Sequence, residues 1–318
     1  MLYSLLKIPA AIGLWMYCRQ LRVNNKATLN LSGPLLIACN HPNSFLDAII
    51  LSSVFKKPIY SLARGDVFKH SLAARLLRSL KMFPVFRNSE GAENMGHNYS
   101  TFDACKEIFK KNGIVLIFSE GRCINEWHLR PLMKGTARLA LSSWEVGIPL
   151  TVLPTGINYQ SFTQFGKNIQ LNFGNMIHKE YIDTSNGFGK SILEFNQLLT
   201  QELKPLVYEI EKSNQKKVEE MGVVIPAFIK LLLLIPAIAG WLLHLPLWLP
   251  IKFIAKKYCA HNDHYDSVVV GLLFVLYPVF IIVLLLLTVF LCSWWLAFAL
   301  VGCLPLLAWC YMYIKPQF

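Results

Sequence analysis

Charge is scarce in this sequence. Only 16% of its 318 residues are charged and 54% are hydrophobic, and mean hydropathy is +0.41. An ordinary soluble protein is excluded, because such chains carry about 25% charged residues. Acid is scarcer than base: 19 Asp and Glu face 31 Lys and Arg, a net charge of +12. Cys-x-x-Cys pairs are missing. The eight cysteines stand at 18, 39, 105, 123, 259, 292, 303 and 310, which reads as free thiols and not as a disulfide framework or a zinc site. Zinc-finger spacings and RNA-binding signatures are missing too, so the basic surplus is not assigned to nucleic acid. Apart from Lys7, no charge enters the apolar stretch 2–18; Arg19, Arg22 and Lys26 follow it. A signal peptide has the reverse order. The stretch reads as an interfacial anchor helix, with Trp15 and Tyr17 at headgroup depth.

What is there is unevenly placed. From Val223 onward there are five lysines, no arginine and two aspartates, which leaves residues 1–222 with 26 basic and 17 acidic groups, a net of +9. A basic globular part is followed by an apolar tail. Beside such a tail, the simplest anionic partner is membrane lipid. The expected division is an anchoring helix in 1–26, a catalytic domain in 27–222 and a membrane domain in 223–318.

The chain is organised around Asn40-His41-Pro42-Asn43-Ser44-Phe45-Leu46-Asp47. The apolar run 35–39 leads into it with the length of a buried strand. Side chains at the C-terminal ends of strands line the ligand crevice of open α/β sheets. A histidine held by a carboxylate is a ready general base. Pro42 favours an extended His41 ahead of a helix whose first turn carries Asp47. The same residues also read as a helix cap, with Ser44 as N-cap and Asp47 three residues on. Both readings stand, and one does not exclude the other.

Further strands are expected at 57–64, 82–87, 114–118, 148–159 and 168–177. Helices are expected at 67–80, 99–111, 136–145 and 184–213, with a charged linker at 212–220. The strongest buried strand, 114–118, runs into Ser119-Glu120-Gly121-Arg122. A carboxylate there can accept substrate hydroxyls beside a glycine N–H. Downstream lies Leu129-Arg130-Pro131-Leu132-Met133-Lys134-Gly135-Thr136.

In this order the stretches resemble the motifs of the glycerolipid acyltransferase family. The first is usually a His, four residues and an Asp; here five residues intervene, as in some glycerol-3-phosphate acyltransferases. Phe83-Pro84-Val85-Phe86-Arg87 is similar to the second motif, without its earlier glycine. Ser119 to Arg122 resembles the third, Phe-Pro-Glu-Gly-Thr-Arg, with Ser119 in the proline position. Leu153-Pro154 resembles the fourth, associated with the acyl donor.

The resemblance implies a mixed open α/β sheet flanked by helices. It implies His41 and Asp47 as catalytic residues. Asn40, Arg87, Ser119, Glu120, Gly121, Arg122 and Lys134 would bind substrate, with no metal and no cofactor beyond an acyl-CoA or acyl carrier protein thioester. The acceptor would be glycerol 3-phosphate or its 1-acyl derivative. A lyso-aminolipid or another lysophospholipid is the alternative acceptor. A membrane-surface scaffold that binds anionic lipid without turnover is the rival of another class.

In the tail, Pro236, Gly240, Pro246 and Pro250 break 223–251, and Lys252, Lys256 and Lys257 follow it; with basic residues on both sides, that segment is expected to be re-entrant or interfacial. Residues 268–291 and 294–314 are each long enough to span. The polar run from His261 to Asp266 reads as an interfacial turn. The expectation is an integral protein of the bacterial cytoplasmic membrane, with catalytic domain and C-terminus on the cytoplasmic face.

Overall fold

The computed structural model describes residues 2–86, 95–185, 187–211, 214–259 and 262–316. Helix α1 (Leu2–Tyr17) leads into β1 (Cys18–Val23). The strand β2 (Leu35–Cys39), helix α2 (Ser44–Val54), strand β3 (Ile59–Arg64), helix α3 (Ser71–Ser79) and strand β4 (Met82–Val85) follow. Then come α4 (Met95–Lys110), β5 (Ile114–Phe118), α5 (Lys134–Glu145), β6 (Thr151–Tyr159), β7 (Lys167–Phe173) and α6 (Phe188–Leu203). A short helix α7 (Gln215–Glu220) precedes three apolar helices, α8 (Ala227–Cys259), α9 (Tyr265–Leu291) and α10 (Trp294–Ile314).

The seven strands form one sheet in the order β1-β7-β6-β2-β5-β3-β4. Neighbours run parallel except β6 and β7, so the sheet is open and mixed, as expected. β2 and β5 lie in its middle, and their unbroken apolar runs suit strands covered on both faces. On one face Leu36, Ala38, Val115 and Ile117 pack against Phe109 of α4, Trp144 of α5 and Phe195 and Leu199 of α6. On the other, Leu35, Ile37 and Cys39 pack against Leu46, Ile50 and Leu51 of α2. The same core takes in Leu247, Ile251 and Ala255 of α8 and Val269 of α9. The apolar tail therefore shares a hydrophobic core with the sheet.

Three sequence expectations meet a different arrangement. Residues 1–26 were expected to be anchor alone, yet β1 within them is a strand of the sheet, parallel to β7. Its Arg19 and Arg22 hid it among flanking charges. Tyr17 was expected at headgroup depth; it is 3% exposed, because its hydroxyl donates to Asp266 at 2.6 Å. Trp15 stays half exposed and stacks on Trp309. Residues 223–251 were expected to be re-entrant or interfacial; α8 is one helix of 33 residues with three prolines inside it, which sets aside a segment that dips and returns. Apolar helices tolerate proline where neighbouring helices compensate the freed carbonyls. α8 lies close on α10: a Cβ at Gly240 would stand 2.1 Å from the Leu307 carbonyl oxygen. Only glycine permits that backbone approach.

α9 and α10 form a hairpin whose two open ends meet the sheet edge. Asp266 at the start of α9 pairs with Lys167 of β7. Arg19 of β1 donates to the carbonyls of Met312 and Lys315 at 2.9 and 2.8 Å. α8, α9 and α10 are each long and apolar enough to cross a membrane.

Candidate active site

β2 and β5 are in register to their last residues, Cys39 opposite Phe118. The loops that leave the two strands therefore emerge side by side at the C-terminal edge of the sheet, where α/β folds place their sites. Ser119 N–H donates to the Cys39 carbonyl at 2.9 Å. His41 N–H donates to Glu120 Oε2 at 2.8 Å. The His41 ring lies flat on Phe118, with centroids 3.8 Å apart.

Asp47 does sit in the first turn of α2. Its Oδ2 accepts from His41 Nδ1 at 2.8 Å and from Asn43 N–H at 2.9 Å. Its Oδ1 accepts from the Tyr159 hydroxyl at 2.6 Å. Asp47 is fully buried while His41 keeps 18% of its side chain exposed. An ionised carboxylate only accepts, so Nδ1 is the donor, and the neutral ring held this way presents its lone pair at Nε2. The five-residue spacer is accommodated at Ser44, whose φ is +50°, a left-handed conformation rare outside glycine. The cap reading holds in altered form. Asn43, not Ser44, is the N-cap, and Asp47 reaches back to its N–H as a capping-box carboxylate does. Asp47 therefore caps α2 and orients His41 at once.

The residues expected to bind substrate divide into two groups. Asn40 is buried and its amide is used on Ile157, donating to the carbonyl at 3.0 Å and accepting from the N–H at 2.8 Å. Ser119 Oγ accepts from Thr136 at 3.0 Å, and its carbonyl from Met133 N–H. Glu120 accepts two backbone N–H groups, His41 on Oε2 and Arg130 on Oε1. These three side chains hold loops together. At a strand end, orphan backbone groups compete with substrate for every polar side chain. Burial raises the Glu120 carboxyl above the usual carboxylate range, against the lowering effect of its two N–H partners.

Gly121 turns the chain at φ +65°, and Arg122 beyond it is exposed. Lys134 is exposed and opens α5, whose N-cap Met133 makes no side-chain cap bond. A Cβ on Gly135 would find only Ile117 Cδ1, at 4.0 Å. A helix N-terminus without a side-chain cap bond that opens on an exposed lysine suits an anion. Arg87 lies outside the described residues.

Sequence reasoning missed Tyr159, which burial, then Asp47, hold well above the ordinary tyrosine pKa. Its only signal was a polar residue closing an apolar strand. It also missed the role of the turn between α8 and α9. That turn docks on the His41 loop, with Ser44 Oγ 2.7 Å from His264 Nδ1; His261 lies outside the described residues.

A comparison with protein families matches residues 20–158 to the family described as Acyltransferase. Over those residues, somewhat under half of its length, the chain is similar to the acyltransferase family. The acyltransferase match runs from β1 almost to the end of β6 and includes His41, Asp47, Glu120, Arg122 and Lys134. Tyr159 and the whole apolar tail lie beyond it. No curated protein matches the chain. Among solved structures, the crystal structure of the 1-acyl-sn-glycerophosphate (LPA) acyltransferase PlsC from Thermotoga maritima is similar at 14% identity. That likeness covers 67% of this chain and 76% of the other, with a TM-score of 0.44, and assigns neither a residue nor a substrate to this chain.

Proposed function

We propose that this chain is a membrane-bound acyltransferase that moves a fatty acyl group from a thioester to a hydroxyl of glycerol 3-phosphate or 1-acylglycerol 3-phosphate. The observation that carries the reading is the His41–Asp47 pair at 2.8 Å, its carboxylate buried and its imidazole open on one side. His41 Nε2 takes the acceptor hydroxyl proton as that oxygen bonds to the thioester carbonyl carbon. The tetrahedral oxyanion collapses, the C–S bond breaks, and the thiolate recovers the proton from the imidazolium. Asp47 stabilises the imidazolium meanwhile. Neither a covalent enzyme intermediate nor a redox step is required.

Arg122, Lys134 and the α5 N-terminus are assigned to the acceptor phosphate, for which guanidinium and helix N–H groups are suited. The apolar helices α8, α9 and α10 would hold the site against the membrane that supplies both lipids, with the catalytic domain on the cytoplasmic face of a bacterial membrane. The test is an acceptor panel on the purified chain with palmitoyl-CoA: glycerol 3-phosphate, 1-acylglycerol 3-phosphate, a lyso-aminolipid and a phosphate-free monoacylglycerol. Preference for the two phosphorylated glycerols supports the assignment. Equal turnover of the phosphate-free acceptor removes it.

A further inference from the structure

The tail beyond residue 222 does more than provide apolar helices. Asn43 and Ser44 of the His41–Asp47 spacer are held directly, and Pro42 through Asn125, by the turn that joins α8 to α9 and the first turn of α9. Asp266 Oδ2 accepts from Asn43 Nδ2 at 2.7 Å. His264 Nδ1 meets Ser44 Oγ at 2.7 Å. Asp263 Oδ1 accepts from Asn125 N–H at 2.9 Å, and Asn125 Nδ2 donates to the Pro42 carbonyl at 2.7 Å.

The tie through Asn43 leads furthest. Asn43 and Asp266 are fully buried. Among the described residues the Asn43 side-chain oxygen has no hydrogen-bond partner, so the bond to Asp266 is what orients that side chain. The Asn43 N–H in turn donates to Asp47 Oδ2, the oxygen that holds His41 Nδ1. Asp266 is itself fixed from two further sides, by the Tyr17 hydroxyl at 2.6 Å and by buried Lys167. A rigid acid from the tail therefore ends a chain of contacts that runs Asp266, Asn43, Asp47, His41. The spacer needs such a support, because it turns through a left-handed residue at Ser44, and strained backbone persists only where its surroundings over-determine it.

We propose that Asp266 is a positioning residue of the acyl-transfer site, acting through Asn43 on the Asp47–His41 pair, and that the turn 262–266 is part of the catalytic machinery. The inference rests on the assignment of His41 as general base. A displacement of about 1 Å at a reacting group lowers turnover by up to about 100-fold, so Asp266→Asn lowers kcat by about tenfold or more and leaves the KM of both substrates within about twofold. Asparagine keeps the shape, but its neutral oxygen, a weaker acceptor than the carboxylate, is shared at the Oδ2 position between Lys167 and Asn43, which loosens the hold on Asn43.

The experiment is a double-mutant cycle in the purified full-length chain, with palmitoyl-CoA and 1-oleoylglycerol 3-phosphate and radiolabelled product as readout. Asp266→Asn is measured alone and in an Asp47→Asn background. If Asp266 acts through Asp47, its substitution costs little once Asp47 is already neutral. A cost that is the same in both backgrounds marks a merely structural role and overturns the proposal. Should Asp266→Asn fail to fold, His264→Ala decides: His264 is exposed at the same turn, and loss of its tie to Ser44 lowers kcat several-fold at an unchanged unfolding midpoint. Wild-type kcat in His264→Ala contradicts the proposal. Full activity in His41→Ala would remove the general-base assignment itself, a failure distinct from an additive cycle with His41→Ala inactive.

Discussion

Asp47 makes three hydrogen bonds, and two substitutions separate what its charge does from what its shape does. In Asp47→Asn the side chain can keep its oxygen where Oδ2 stands, still accepting from His41 Nδ1 and the Asn43 N–H. Its new NH2 then faces the Tyr159 hydroxyl, which can turn and accept. All three contacts survive and only the negative charge is lost. The imidazolium formed during proton transfer loses its counter-ion, and kcat falls by about 10²- to 10⁴-fold, or about 2.7–5.4 kcal/mol of barrier. The fold is spared, because a buried amide costs less to desolvate than a carboxylate.

Asp47→Ala removes the acceptor for all three donors. Each orphaned buried donor costs about 1–3 kcal/mol, and three of them approach the total stability of a typical domain, about 5–15 kcal/mol. The assay pairs product formation with the unfolding midpoint in detergent. The expected outcome is an inactive, stable Asp47→Asn and an inactive, strongly destabilised Asp47→Ala. The reasoning fails if Asp47→Asn keeps more than about a tenth of wild-type kcat, or if the two variants unfold together.

Tyr159→Phe leaves Asp47 Oδ1 buried without its donor, and the unfolding midpoint drops by about 2–4 °C for each kcal/mol lost; an unchanged midpoint would show that Oδ1 has another partner. Arg122→Ala combined with Lys134→Ala raises KM for a phosphorylated acceptor by about tenfold or more while KM for the thioester holds, since truncating a charged contact to phosphate costs about 1.5–3 kcal/mol; equal rises in both KM values contradict the phosphate assignment. Glu120→Gln tests linkage. Because burial raises the folded-state pKa of Glu120, its contribution to stability is fully present below the ordinary glutamate pKa and is lost as pH rises through the raised value. The midpoint difference between wild type and Glu120→Gln therefore shifts against wild type as pH climbs through that window, and a flat difference would mean the pKa is not raised.

How far these features could be seen in advance depended on the range of the interactions. β2 and β5 emerge with their expected boundaries, 35–39 and 114–118, because a short apolar run between polar turns has few other uses. His41 and Asp47 were legible as a pair, since local backbone geometry brings them together. Edge strand β1 was not, because an edge strand tolerates the polar side chains of Arg19, Gln20 and Arg22. For Asn40, Ser119 and Glu120 the structure adds bonds to neighbouring loops that were not foreseen, because sequence does not reveal which backbone groups a strand end leaves unpaired. α8 was read as broken on account of its prolines, which local propensity forbids and packing against α10 offsets. Asp266 could not be foreseen. Its contact with Asn43 spans 223 residues and depends on how the tail folds back on the sheet.

The most direct measurement is acyl transfer by His41→Ala in the purified full-length chain at wild-type unfolding temperature. Loss of product formation by at least about 10²-fold, with the thioester still bound, is what a general base at this position requires. A folded His41→Ala chain that transfers acyl groups at the wild-type rate would place the chemistry elsewhere.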